Sequence, residues 1–172
     1  ILRRLVPILL AAPDDLTAMP YLMAAPPDPS MPDELHGTLL LHLGVLWAGS
    51  PEEGERALSP LRALGPAVND TVKLTPYPDV YPDHAPDPDA PPMGWAMRTA
   101  FIDAFDDAVI DIVERRLAEP TTPWALVQLR VLGGAVGRVA GDATAYGWRD
   151  RTILVWLITP YTDLANAAGH DA

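Results

Sequence analysis

Cysteine is absent from the sequence, which excludes disulfides, thiolate metal sites and a cysteine nucleophile. No feature of the composition asks for an oxidising compartment, so we expect a cytoplasmic protein. Lysine is nearly absent too, since eleven of the twelve basic residues are arginine and Lys73 is the only lysine. Against 23 acidic residues, these leave a formal net charge of −11. A surface of that sign repels phosphate backbones and anionic lipids, so we expect neither nucleic-acid nor membrane partners.

Long apolar runs are missing as well, because no stretch approaches the roughly 20 residues that span a bilayer. Near the start, Arg3 and Arg4 precede a short apolar run at residues 5–12 that contains Pro7. Two interpretations are open: a secretory signal, or the tail of an amphipathic helix that begins upstream. The shortness of the run and its proline favour the helix.

Motifs for several kinds of chemistry are also lacking. Serine is scarce and none lies in a G-x-S-x-G elbow, so we predict no serine-dependent acyl transfer. The histidines have no metal-ligand spacing, and we predict no metal site from the set His36, His42, His84 and His170. The glycine-rich segment 133–141 follows a strand but precedes no helical stripe. It is therefore interpreted as a bend or bulge between strands, and phosphate binding by a dinucleotide loop remains the less favoured alternative.

What is present indicates a single domain over residues 1–172, a length that can bury roughly 70% of the unfolded surface. Apolar patterning and turn residues predict strands at 15–23, 36–47, 95–102, 124–132, 138–139 and 153–158. The same criteria predict helices at the start of the chain, after Ser50, over 106–117 and from Tyr161 onward. These elements favour an α+β fold in which helices cover one face of an antiparallel sheet.

Two details of this prediction concern individual segments. A helix with one apolar face is expected to bury Val109, Ile112, Val113 and Leu117. Seven prolines, several next to aspartates, fill residues 76–92, so a long surface loop without regular structure is expected there.

Three segments, in this order and at this spacing, resemble one family of flavoproteins. They are AGSPEEGERALSPLRALGPAVNDTV at 48–72, MRTAFIDAFDDAVIDIV at 97–113 and LVQLRVLGGAVGRVAGDATAYGWRD at 126–150. The sequence resembles the substrate-binding domain of berberine-bridge-enzyme-like (BBE-like) proteins, within the vanillyl-alcohol-oxidase superfamily of FAD-linked oxidoreductases. The resemblance covers nearly the whole chain.

The resemblance implies a substrate-binding domain whose sheet covers the isoalloxazine ring of FAD while a small organic substrate passes a hydride to the flavin. It also implies a flavin-binding domain, in cis or in trans, as a partner. The segments that grip FAD in this family have no counterpart in the sequence, so the chain is expected to be part of a longer or split flavoenzyme and not to bind FAD alone.

Candidate substrate-binding residues lie mainly on the strand predicted at 124–132. Strand periodicity puts Gln128 and Arg130 on one face, and the resemblance implies that this face meets flavin and substrate. Further candidates by resemblance are Arg98, Tyr146 and Trp148. Trp148 stands where the family motif commonly has histidine, and Arg130 where plant members often have a carboxylate or amide. Family-type proton abstraction is therefore not expected, and we predict no catalytic residue.

Two alternatives remain open at this point. The chain could be a stand-alone, non-catalytic binding or assembly module that kept the fold and lost the flavin. It could also be a small ferredoxin-like ligand-binding protein whose matches to the three segments are coincidental.

Overall fold

One five-stranded antiparallel sheet organises the protein, whose computed structural model describes residues 1–25, 31–80 and 91–170. The sheet order is β2-β1-β4-β5-β3, so β4 is the central strand. Every neighbouring pair is antiparallel, including the β1–β2 hairpin. The strands are β1 (Leu16–Ala24), β2 (Leu39–Trp47), β3 (Gly94–Ile102), β4 (Leu126–Val131) and β5 (Ile153–Tyr161).

Three helices of nine residues or more accompany the sheet: α1 (Leu2–Leu10), α2 (Pro51–Arg62) and α3 (Asp107–Ala118). Helix α2 begins where Ser50 Oγ accepts a hydrogen bond from the Glu53 amide, and α3 begins where the Asp106 carboxylate accepts one from the Val109 amide. Both caps satisfy backbone donors that have no partner within the helix. Within the described ranges, no helix is long and apolar enough to cross a membrane.

The core lies between one face of the sheet and these helices. Helix α3 buries Ile110, Val113 and Leu117 against Val127 and Leu129 of the central strand. A second cluster joins α1, α2 and the residues after α2, and its buried members are Leu5, Leu9, Leu58, Leu61 and Leu64. The α+β class with helices on one sheet face, as predicted from the sequence, is therefore confirmed.

Several predicted elements are wrong in detail. Residues 138–139 are not a strand, because Ala135–Arg138 forms one helical turn, α4, inside the β4–β5 connection. Tyr161 does not start a helix but ends β5, which pairs with β3 over nine residues. A further helical turn, α5, spans Ala167–His170. These errors have two causes: single turns carry no apolar period, and strand length is set by the partner strand.

The predicted apolar face of α3 is also partly wrong. Ile112 is 53% exposed, and Ile110 takes its place in the core. Ile110, Val113 and Leu117 follow the three- and four-residue spacing of one helix face, whereas Ile112 lies off it. In the proline-rich loop, Tyr77–Val80 forms a short 3-10 turn where no regular element was expected. Residues 81–90 of that prediction lie outside the described residues.

Candidate functional site

The sheet face opposite the helices carries the candidate site, and we call it the open face. None of the three long helices packs on it, and several of its large apolar side chains are exposed: Met97 is 47% exposed and Trp95 55%. Strand alternation and the pairing register define its central residues as Met19, Tyr21, Met23, Leu126, Gln128, Arg130, Leu154, Trp156, Ile158, Trp95, Met97, Thr99 and Phe101.

At the centre of the open face, Arg130 is held by two neighbours. Its Nε–H donates a hydrogen bond of 2.8 Å to Gln128 Oε1. Its guanidinium carbon lies 4.5 Å from the centroid of the Trp156 ring, a cation–π arrangement. Gln128 is aligned with Tyr21 on one side and Trp156 on the other, and it is only 4% exposed. The structure thus brings Gln128 and Arg130 together, on a rigid central strand.

The charge of the five strands is notable because acidic residues are missing from them. None of the strand residues is Asp or Glu, although the chain has 23 of them. No carboxylate of the described residues lies within ion-pair distance of Arg130. Among residues 1–25, 31–80 and 91–170, no group of three His, Asp or Glu side chains is placed to hold a metal ion. Arg130 is therefore the charged centre of an apolar surface.

Trp148 and Tyr146 lie in the β4–β5 connection. The Trp148 ring stacks on Phe101, with centroids 5.2 Å apart and an interplanar angle of 18°. Since Phe101 is an open-face residue of β3, Trp148 extends that face at its rim. Tyr146 contacts Arg149, whose guanidinium carbon lies 5.3 Å from the Tyr146 ring centroid. Arg149 also donates to Thr144 Oγ1 at 2.7 Å, so Tyr146 belongs to a cluster within the connection.

The β4–β5 connection begins near Gly134, whose backbone conformation is unfavourable for residues other than glycine. Gly134 has φ +57° and ψ −129°, a combination found in type II′ turns. The turn brings Arg138 onto Asp14, with two guanidinium nitrogens donating to the two carboxylate oxygens. Hydrogen bonding from Arg138 lowers the pKa of Asp14. This ion pair is therefore complete at neutral pH and is lost only as the pH falls through that lowered pKa.

We expect Gly134→Ala to destabilise the chain by about 2 kcal/mol, because a Cβ is strained at this backbone conformation. That Cβ would also lie 2.6 Å from Asp14 Oδ1. Gly133→Ala is the matched control, since a Cβ there meets nothing within 4 Å. Urea unfolding of the two variants measures the difference. Equal stability of both would contradict the turn geometry at Gly134.

Arg98 is not part of this arrangement. It pairs in register with Leu157, which pairs with the buried Val127, so it projects from the helix-covered face of the sheet. There it lines a cavity of about 230 Å³ near the end of α3, together with Arg116 and Thr159. The structure therefore separates Arg98 from Gln128 and Arg130 by the thickness of the sheet.

Sequence reasoning missed Trp156, the residue that supports the Arg130 guanidinium. Trp156 lies on β5, and the register Gln128–Trp156 places both on the same face. Alternation alone would have grouped Trp156 with Leu154 and Ile158, but only the strand order makes β5 the neighbour of β4. Phe101 was missed for the same reason.

Comparison with known proteins finds the same fold in solved BBE-like proteins and in a solved oxidoreductase. BBE-like 1 from Physcomitrella patens superposes with a TM-score of 0.70 at 15% identity, over 96% of this chain and 36% of that one. BBE-like 28 from Arabidopsis thaliana gives 0.67 at 14% identity, over 94% and 34%. GilR, an oxidoreductase of gilvocarcin biosynthesis solved with pregilvocarcin, gives 0.64 at 16% identity, over 98% and 35%. No protein-family model and no curated protein matches the sequence.

These matches bear on the resemblance inferred from the three sequence segments. The chain spans about a third of the length of the solved proteins it matches. At 14–16% identity the likeness extends to the fold, and at that level the predicted resemblance is confirmed. The protein has the fold of the corresponding third of BBE-like proteins and of a related oxidoreductase.

Proposed function

We propose that this protein is the substrate-binding domain of an FAD-dependent oxidoreductase. Its open face covers the flavin ring and positions a small organic substrate for hydride transfer. A separate flavin-binding portion, in cis or in trans, supplies the cofactor. The proposal rests on one observation above all: a half-buried arginine, supported by Gln128 and Trp156, lies at the centre of a largely apolar sheet face that no long helix covers.

The open face suits a binding role better than a solvent-facing one. A sheet face in water normally carries charged and polar side chains, whereas this one exposes Met19, Trp95 and Met97. Large exposed apolar patches mark ligand or partner surfaces. The central position on β4 also favours precision, because a rigid strand holds a side chain more accurately than a loop does.

The described residues fit the flavin ring of FAD but not its pyrophosphate. The flat ring of a flavin matches an apolar face with a single cation and no carboxylate; when bound, it would accept a hydride from a substrate C–H bond. The described residues form no comparable binding site for the pyrophosphate. Acidic side chains already lie at the N-termini of α2 and α3 and repel phosphate from them: Glu52 and Glu53 in the first turn of α2, Asp107 in that of α3, and the α3 cap Asp106.

We therefore expect the purified chain to be colourless. The open face can contact only the ring of FAD, and the described residues offer no site for its pyrophosphate. Contacts to the ring alone are too weak to retain FAD through purification. The visible absorbance spectrum, read against protein concentration, tests this expectation. A stoichiometric flavin band in the purified chain would contradict it.

Methionine footprinting tests the proposed role directly. Exposed methionines react with hydrogen peroxide, and their sulfoxides are quantified by mass spectrometry. Met19 and Met97 are 37% and 47% exposed on the open face, so both should react in the free chain. Assembly with the flavin-binding portion and FAD should protect both, while Met31, outside the sheet, serves as the internal reference. Unchanged reaction of Met19 and Met97 would instead favour a stand-alone binding module.

A further inference from the structure

We infer that the substrate recognised by the open face is a small aromatic carboxylate. The inference rests on the proposed function and names the substrate class of the same site. Three features of the described residues carry it: the sign of the charge, the shape of the guanidinium and the character of the surrounding side chains.

The charge at the site is opposite to that of the protein. The chain has a net charge of −11, yet Arg130 is the only arginine, lysine, aspartate or glutamate at the open-face strand positions. No carboxylate of the described residues pairs with it, in contrast to Arg62, Arg138 and Arg151, each of which contacts an aspartate. A cation kept clear of its own protein's carboxylates, in so acidic a chain, is suited to an anionic ligand.

The way Arg130 is held selects the kind of anion. Its Nε–H is engaged by Gln128, and Trp156 lies against the guanidinium, so orientation is fixed before a ligand binds. The two terminal nitrogens keep donors for a planar oxyanion, which guanidinium binds through two parallel hydrogen bonds. A single arginine, without a lysine or a helix N-terminus beside it, is a poor site for a phosphate dianion. A phenol would have to lose its proton first, whereas a carboxylate is already ionised at neutral pH.

The side chains around Arg130 favour a flat aromatic group in the part of the ligand that does not contact the guanidinium. Tyr21 and Trp156 flank the Gln128 position, and Leu154 is the register partner of Arg130. At the rim, Trp148 stacks on Phe101. Aromatic rings favour stacking with a flat apolar group, and methionines such as Met19 adapt to its outline. An aliphatic acid such as acetate would satisfy the guanidinium and leave this surface unused.

Titration of the ¹⁵N-labelled chain at neutral pH tests the inference, read from the Arg130 Nε–H and Trp156 indole N–H signals. The probes are phenylacetate, its neutral isostere phenylacetamide, acetate and inorganic phosphate. We expect phenylacetate to shift both signals and to bind about 10-fold more tightly than phenylacetamide, the effect of a charge-assisted contact at a half-buried site. Acetate and phosphate should bind more weakly than phenylacetate.

Two variants and one control make the assignment specific, with the Trp156 signal as the common readout. Arg130→Met should remove the preference for phenylacetate over phenylacetamide. Gln128→Glu keeps Arg130 but places a carboxylate beside it, so it should also remove the preference. Arg98→Met changes the other strand arginine, which lies on the opposite face, and should leave the preference intact.

Equal affinity for phenylacetate and phenylacetamide would overturn the carboxylate inference. So would phosphate binding as tightly as phenylacetate, or no shift from any probe up to roughly 10 mM, enough to detect a millimolar site. None of these results depends on flavin. The proposed function is judged separately by methionine protection in the assembled enzyme, so the two failures are distinguishable.

Discussion

Arg130→Met is expected to lower the rate constant for flavin reduction by about 10²-fold in the enzyme assembled from this chain and its flavin-binding portion. Methionine removes the charge and the hydrogen-bond donors but keeps much of the volume. Arg130→Lys keeps the charge and loses the planar fork, so its rate should fall by less. Guanidinium has only donors and cannot act as a base, so the loss reflects substrate orientation and charge stabilisation. Stopped-flow absorbance of the flavin measures the rate.

Arg98→Met is the matched control for this experiment. It removes the same charge from the same sheet, but from the helix-covered face, and the rate of flavin reduction should stay near that of the parent. Folding should change little in Arg130→Met, because Arg130 is only half-buried and has no ion-pair partner among the described residues. If both Arg130 variants reduced flavin at the parental rate, Arg130 would not act on the substrate.

Alternation along a single strand allowed part of the site to be predicted. The sequence of β4 places Gln128 and Arg130 on one face whatever the neighbouring strands are, and the structure confirms this pairing through the Nε–Oε1 hydrogen bond. Arg98 could not be placed in the same way. Which face its strand presents depends on the register between β3 and β5, a long-range pairing that local patterning does not encode.

Local sequence signals predicted the long elements of the fold, but not the features that depend on contacts between distant residues. Long elements with caps or strong periodicity, such as α2 behind Ser50, were recognised from local signals. The turn Ala135–Arg138 was not, because it depends on the glycine conformation at Gly134 and on the contact between Arg138 and Asp14, more than a hundred residues away in sequence. The strand order β2-β1-β4-β5-β3 likewise follows from tertiary packing, which no single segment reveals.

Leu129→Ala is expected to destabilise the chain by about 3.5 kcal/mol, the middle of the range for truncating a buried leucine. Leu129 is 0% exposed and belongs to the cluster that joins β4 to α3, so its removal leaves a cavity that neighbouring side chains fill only in part. Leu74→Ala makes the same chemical change at a residue that is 86% exposed, and its effect should stay within about 0.5 kcal/mol. Urea unfolding followed by circular dichroism measures both.

The contrast between Leu129 and Arg130 tests the two-faced sheet as a whole, because the residues are adjacent in sequence and project in opposite directions. Leu129→Ala should lower the free energy of unfolding, while the phenylacetate preference of the chain that remains folded stays intact. Arg130→Met should leave the free energy of unfolding nearly unchanged and remove the phenylacetate preference. Two results would contradict this picture: a loss of less than about 1 kcal/mol of unfolding free energy in Leu129→Ala, or loss of the phenylacetate preference in the folded variant. In either case the helix-covered core and the open face would not be the separate surfaces that the strand alternation of β4 requires.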